Sequence, residues 1–377
     1  MLLIFGRIYN CRGLEVFYVN RSFSLYLVTG AAGYLGGAVV RELVLSGKKV
    51  RALVLPGDRA AGSLPAGVET VYGDITVPSS LEPFFSGDMS GACLIHCAGT
   101  VSISSRPDPL LRRVNVDGTR NILALCLRRG VSRSVYVSSV HAIPEMPLGC
   151  VISEPDFFDP CLVRGHYAKT KAAATRLALA AAKAGLDISI VHPSGLIGPH
   201  DPGRGSISSA VISFCRSRIP LSCSGGYDFA DVRDVAAGIT ACAEKGRSGE
   251  CYILSGRYAS LREIFAFIAA SGYGPAPVSL PLRAAKLASP LLELASALRR
   301  RPPFITPYSA YTLGSNSQFS HEKASAELGY SPRPLSSSLQ DTLAWLSSEG
   351  LIPPPQRAEE RRKCRTVRLK IKKYLRS

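Results

Sequence analysis

No stretch of this chain supplies about 18 uninterrupted apolar residues, so the sequence offers no spanning helix. Residues 1–24 lack the ordered charged, apolar and small-residue regions of a signal peptide. Arg7, Arg12, Glu15 and Arg21 instead interrupt short apolar runs, and the stretch reads as an irregular extension. The eleven cysteines include no C-x-x-C pair. Apolar contexts such as Leu125-Cys126-Leu127 read as reduced, buried thiols, and the expected location is cytoplasmic. Cys93 and Cys97 flank one short segment, yet no further ligand has a suitable spacing, so no metal is expected. Aromatic and basic residues do not interleave in either basic segment, which argues against nucleic acid as a partner.

What is present is a chain long enough to bury a sizeable core, with 46% hydrophobic residues. Its net charge of +17 is uneven: residues 357–376 alone contribute +8. In that basic tail (351–377 with its leading prolines), Cys364, Val367, Ile371 and Leu375 can share a helical stripe suited to peripheral contact with an anionic membrane. A strand and a solvated tail are the other readings. A second Leu-rich segment, 281–301, repeats Leu287, Leu291, Leu294 and Leu298 at helical spacing beside Arg283, Lys286 and Glu293. It reads as a helix facing the core, with membrane contact as the alternative, and Pro290 is expected to end or kink it.

The most informative run is Leu25-Tyr-Leu-Val-Thr-Gly-Ala-Ala-Gly-Tyr-Leu-Gly36. Gly30, Gly33 and Gly36 follow an apolar strand and lead into a helix-like stretch, 38–46. Such a turn lets backbone amides approach a pyrophosphate. Apolar strands at 50–55, 68–72, 92–96, 134–138 and 188–191 then alternate with helical stretches such as 110–129 and 167–184. That alternation predicts an α/β fold with an open, doubly wound parallel sheet. From about Gly195 the alternation loosens, and the last ordered helix is expected over 335–348.

Tyr167-Ala-Lys-Thr-Lys171 opens the alanine-rich helix. Four residues apart on a helix, a phenol and an ammonium share one face, and the positive charge favours phenolate. The strand ending Tyr136-Val-Ser138-Ser139 lies about 30 residues upstream, so a serine hydroxyl can reach the same substrate oxygen.

Together these motifs resemble the extended short-chain dehydrogenase/reductases of the epimerase/dehydratase superfamily, in particular their dihydroflavonol-reductase and 3β-hydroxysteroid-dehydrogenase-like branch. The matching blocks run in order: Thr29-Gly30-x-x-Gly33-x-x-Gly36, Gly73-Asp74-Ile75, His96-Cys97-Ala98-Gly99, Asn115-Val-Asp-Gly-Thr119, Val137-Ser-Ser139, Tyr167-x-x-x-Lys171, Pro193-Ser-Gly195 and Gly198-Pro199, then Phe229-Ala-Asp231-Val-Arg-Asp234. The resemblance covers roughly residues 25–348. It implies a Rossmann-type NAD(P)-binding domain over 25–195 and a smaller region over 196–350 that mainly binds substrate, with some segments returning to the first sheet.

It further implies Tyr167 as general acid/base, Lys171 as its activator and ribose ligand, Ser139 rather than Ser138 as carbonyl-polarising hydroxyl, and Asn115 as a structural or relay residue. Amides near Tyr34 and Leu35 would meet the pyrophosphate, Asp74 and Ile75 the adenine, Cys97, Ala98 and Gly99 the cofactor's inner edge, and Pro193 the nicotinamide face. The chemistry implied is hydride transfer between nicotinamide and a secondary alcohol or ketone, with a small-molecule substrate and, by analogy, a homodimer. NAD-selective relatives carry an acid at the place of Val54 and NADP-selective ones an arginine at that of Leu55. Both are absent here, and Asp58 and Arg59 pull in opposite senses, so NAD and NADP both stand. Nucleotide-sugar relatives carry an asparagine where this chain has Gly195, which favours a hydrophobic, sterol- or flavonoid-like substrate over a sugar nucleotide. A non-catalytic dinucleotide-binding protein is the third reading. His96 and His192 read as packing residues, His166 as a helix cap, and His141 as either a pocket or a packing residue.

Overall fold

Short Val-, Ile- and Leu-rich runs buried on both faces can pair in parallel only if helices cover the sheet. Seven strands form such a sheet, six of them largely buried and edge strand β3 largely exposed: β1 (Leu25–Thr29), β2 (Val50–Val54), β3 (Glu69–Tyr72), β4 (Ala92–His96), β5 (Arg133–Val137), β6 (Ile188–Pro193) and β7 (Cys251–Leu254). Their order is β7-β6-β5-β4-β1-β2-β3 and every pairing is parallel. The computed structural model describes residues 4–9, 15–202, 205–217, 221–298 and 306–355.

Alternate residues feed two apolar layers. Leu27, Leu94, Tyr136 and Ile190 face Ile122, Ala172 and Ala178 on one side. Tyr26, Val28, Ile95 and Val135 face Val39, Leu43, Val235 and Ile239 on the other. The strand order reverses between β1 and β4, which opens a crevice at their carboxyl ends. The helix expected over 110–129 forms in three parts: Pro109–Arg112, a π-helical turn at Arg113–Gly118, and Thr119–Arg129.

A smaller three-stranded sheet follows, ordered Arg257–Ser260, Gly226–Asp231, Gly195–Ile197. Helices Ser206–Arg216, Leu261–Ala270 and Leu335–Ser348 cover it around Phe214, Phe265, Ile268, Leu339 and Leu346. The chain then recrosses: helix Val232–Lys245, β7, Ala324, Leu328 and Tyr330 all build the second face of the large sheet.

Three expectations are corrected. Residues 1–24 are not irregular throughout, because Ile4–Tyr9 pairs antiparallel with Glu15–Asn20, two runs rich in β-branched and aromatic residues. Pro290 does not end helix Leu282–Leu298. It cannot donate to the Lys286 carbonyl, but the Ser289 hydroxyl does so at 2.9 Å. Finally, the leucine stripe of that helix faces outward: Leu287, Leu291, Leu294 and Leu298 are 81, 73, 48 and 79% exposed. Ala284, Ala285, Ala288 and Leu292 border an open cavity, and Ala284, Ala288 and Leu292 are themselves exposed. The basic tail beyond residue 355 and Arg299–Arg301 lie outside the described residues.

Arg133, fully buried at the start of β5, ties the layers together. Its guanidinium pairs with Asp187 and donates to the carbonyls of Cys242 and Gly246 at 3.1 and 2.8 Å. It thereby closes the carboxyl end of helix Val232–Lys245, where a cation is favoured. Arg133→Leu strands these acceptors and should lower stability by roughly 3–5 kcal/mol. Urea unfolding would measure it, and a loss below 1 kcal/mol contradicts the latch.

Candidate active site

The glycine turn is set by close backbone approach. Gly30 sits at φ +64°, and a Cβ there would lie 2.7 Å from the Ala98 backbone; one on Gly36 would lie 2.1 Å from the Gly30 carbonyl oxygen. No side chain fits either place. Helix Tyr34–Leu45 starts directly behind, with no side-chain cap and no acid in its first turn. Its leading amides and dipole therefore suit an anion. The Tyr34 hydroxyl reaches across the crevice to the Gly198 carbonyl, 2.8 Å away.

From this turn a cavity of about 1180 Å³ runs over the carboxyl ends of the central strands into the smaller sheet's layer. All the residues singled out from the sequence line it except Asn115: Gly30, Gly33, Tyr34, Leu35 and Gly36; Asp74 and Ile75; Cys97, Ala98 and Gly99; Ser139, Tyr167, Lys171 and Pro193. Val54, Leu55 and Asp58 also face it, and the Asp58 carboxylate accepts from the Ala60 amide. Asn115 stands one layer behind. Its side chain accepts from the Thr100 amide (2.8 Å) and donates to the Thr100 carbonyl (2.9 Å) and Thr170 hydroxyl (3.0 Å). The π turn that carries it thus fixes the loop after β4 against the helix bearing Tyr167.

Helix His166–Lys183 brings Tyr167 and Lys171 to the cavity floor, both nearly buried. Ser139, two residues past β5, stands beside the Tyr167 phenol, and its hydroxyl accepts from the His141 amide at 3.2 Å. Ser138 points the other way and shares a 2.7 Å hydrogen bond with Thr175. Lys171 donates to the Val137 carbonyl at 2.8 Å.

Burial, the larger effect, pushes the Tyr167 phenol up to about 12, and the adjacent Ser139 hydroxyl pulls it partly back. Burial also lowers Lys171 to about 8. The expected downward pull of the ammonium on the phenol is not what dominates here, because the ammonium is engaged with Val137 while the phenol is desolvated.

His141 belongs to the cavity wall. Its two ring nitrogens hydrogen-bond the phenols of Tyr227 and Tyr308, each at 3.0 Å, and its ring meets that of Tyr167 edge-on at 5.6 Å. Burial depresses it to about 4, so the ring is neutral at pH 7, with one phenol donating and the other accepting. His96 bridges Thr29 and Thr119, whereas His192 stacks on Phe158. His166 opens the helix and is half-buried. No group of three metal-ligating residues occurs among the described residues.

Sequence reasoning missed most of the far wall: Tyr227, Leu261, Phe265, Leu280, Leu292 and Leu313. No motif marks them, since they are ordinary apolar residues contributed by separate elements.

The model of the NAD dependent epimerase/dehydratase family matches residues 26–255. The chain belongs to that family. Sterol demethylase protein B of Methylococcus capsulatus is 31% identical over 331 residues, covering 86% of this chain and 99% of its own length. A putative dihydroflavonol 4-reductase of Synechocystis is 32% identical over 336 residues, covering 87% and 96%. The crystal structure of gox2253 superposes with a TM-score of 0.75 at 30% identity, covering 87% of this chain and 99% of that one. This family member is an extended short-chain dehydrogenase/reductase and an NAD(P)-dependent oxidoreductase.

The buried histidines make the fold acid-sensitive. His96, His141 and His192 are held neutral to about 3, 4 and 4 against an ordinary 6.5, so the unfolded chain binds more protons below 6.5. Stability should fall from pH 6.5 toward pH 4, with these groups adding about three protons to the uptake on unfolding. Calorimetry at pH 5 in buffers of different ionisation enthalpy would check this, and no uptake attributable to His141 in a His141→Phe comparison counts against it.

Proposed function

We propose that this oxidoreductase interconverts a secondary alcohol and a ketone carried on a hydrophobic, multi-ring skeleton. The supporting observation is one continuous cavity: the glycine cradle lies at one end, an apolar chamber at the other, and Ser139, Tyr167 and Lys171 at the junction. Residues 25–195 then mainly hold the cofactor and 196–350 mainly shape the substrate chamber. The cradle's shape and uncapped helix suit a dinucleotide pyrophosphate, with Asp74 and Ile75 beside the adenine and Pro193 beside the nicotinamide.

When bound, the nicotinamide supplies or accepts the hydride. The chain's residues handle the oxygen and its proton. Ser139 donates to the substrate oxygen and polarises the carbonyl. Tyr167 gives its phenolic proton to that oxygen during reduction and takes it back during oxidation. Lys171, one helical turn on, offers the positive charge a phenolate needs and would hold the ribose hydroxyls of a bound cofactor. Asn115 holds the loop above.

Two features favour this over the sugar-nucleotide reading. The chamber wall is mainly apolar, with Ile103, Leu110, Ile207, Phe229 and Phe265 beside a smaller set of hydroxyls from Ser206, Ser208, Ser222, Ser309 and Thr312. At Gly195 an added Cβ would lie 2.7 Å from the Asp228 carbonyl oxygen, so the asparagine of the sugar-nucleotide relatives cannot stand there. The names of the sterol- and flavonol-related relatives point the same way.

Nine free thiols among the described residues, six of them buried, suit the reducing cytoplasm. No helix among the described residues is long and apolar enough to cross a membrane. The basic tail suits peripheral contact with an anionic surface, and family analogy supports a homodimer.

Tyr167→Phe should lower kcat about 10²–10⁴-fold while leaving the cofactor Kd nearly unchanged. Steady-state rates together with calorimetric titration of NADH and NADPH separate the two effects. Undiminished turnover sinks the assignment of the phenol. A panel of steroid and flavonoid ketones run beside UDP- and dTDP-sugars tests the substrate class, and turnover of sugars alone would reverse it.

A further inference from the structure

Helix Leu282–Leu298 has two apolar sides with different fates. Ala284, Ala285, Ala288 and the half-exposed Leu292 border the chamber, whereas Leu287, Leu291, Leu294 and Leu298 are exposed and line no part of it. At 3.6 residues per turn those four leucines fall within about 60° of one another, a continuous stripe rather than the scattered leucines normal on a surface.

The stripe joins the chamber mouth. The Ser105 amide donates to the Glu293 carboxylate at 3.0 Å, which fixes the 101–110 loop beside the helix. That loop contributes Val101 and Leu110, both lining the cavity and both exposed, at 68% and 41%.

The surrounding charge is mainly positive, five cations against the carboxylates of Glu293 and Asp108. Arg283 and Lys286 are exposed on the helix and Arg106, Arg112 and Arg113 on the neighbouring segment. The nearby acids are engaged, Glu293 with Ser105 and Asp108 with the Leu110 amide. An apolar stripe rimmed by cations is the pattern of a surface that lies on an anionic bilayer.

We infer that this face docks on a membrane containing anionic lipid, seating the mouth of the chamber at the lipid boundary. The inference goes beyond the proposed reaction and is read without turnover, so the two fail separately.

The test is flotation of the full chain with phosphatidylcholine vesicles, with and without phosphatidylglycerol. Wild type should float with the anionic vesicles. Leu287→Asp/Leu291→Asp should reduce the bound fraction about tenfold, and Arg283→Glu/Lys286→Glu should reduce it in the same direction. All these side chains are exposed and none lines the cavity, so turnover of a small water-soluble ketone should stay unchanged. Leu45→Asp, on another exposed leucine (85%) at the end of helix Tyr34–Leu45, should float as wild type. Unaltered flotation of the leucine double variant assigns binding elsewhere and overturns the inference, as does a wild type that stays with the unbound protein. A dimer in light scattering that the double variant splits would give the face to a second copy and overturn it as well.

Discussion

Everything at the crevice rests on how closely the backbone after β1 lies against the backbone after β4. Gly30 touches Ala98 where a methyl group would not fit, and Gly36 lies against the carbonyl of Gly30. The strands on either side diverge from this contact, so the helix behind the turn points its amides into the gap. The side chains proposed to act on substrate are arranged around that gap by the ends of β5 and β6 and by helix His166–Lys183. A bulkier turn would push the helix away and leave the phenol and ammonium facing an empty cleft.

The site also keeps ionisable groups in places that penalise charge. Lys171 is buried and leans on a main-chain carbonyl; Tyr167 is held strongly protonated; His141 is held neutral between two phenols. Desolvation costs stability at each of them, and the same desolvation strengthens whatever hydrogen bonds they make to a bound oxygen. Asn115, locked by three hydrogen bonds behind them, shows how much of the arrangement is devoted to holding the first layer still.

The glycine turn and the Ser139, Tyr167 and Lys171 side of the cavity were readable from the sequence because their constraints are local. A glycine triplet behind a strand, a tyrosine and lysine one turn apart, and a serine at a strand end are each set by neighbours in the chain, and all of them reach one cavity. The substrate side was not readable, since Tyr227 and Tyr308 meet His141 only through tertiary folding across 86 and 167 residues. Helical periodicity marked the 282–298 segment correctly as a helix but could not say which apolar side borders the cavity. Three alanines and Leu292 took that side, and the leucine stripe was left outside. Pro290 misled for a similar reason: a serine one residue earlier replaced the bond that proline could not make.

The chain's recrossing has a consequence for its synthesis. Six strands of the large sheet have been translated by Pro193, but its edge strand arrives only at Cys251–Leu254, and Ala324, Leu328 and Tyr330 later still. A nascent chain emerging from the ribosome therefore carries an unpaired strand edge and an uncovered apolar flank until most of the polypeptide is made, a state exposed to aggregation. The cofactor-binding half cannot mature as an independent unit ahead of the rest.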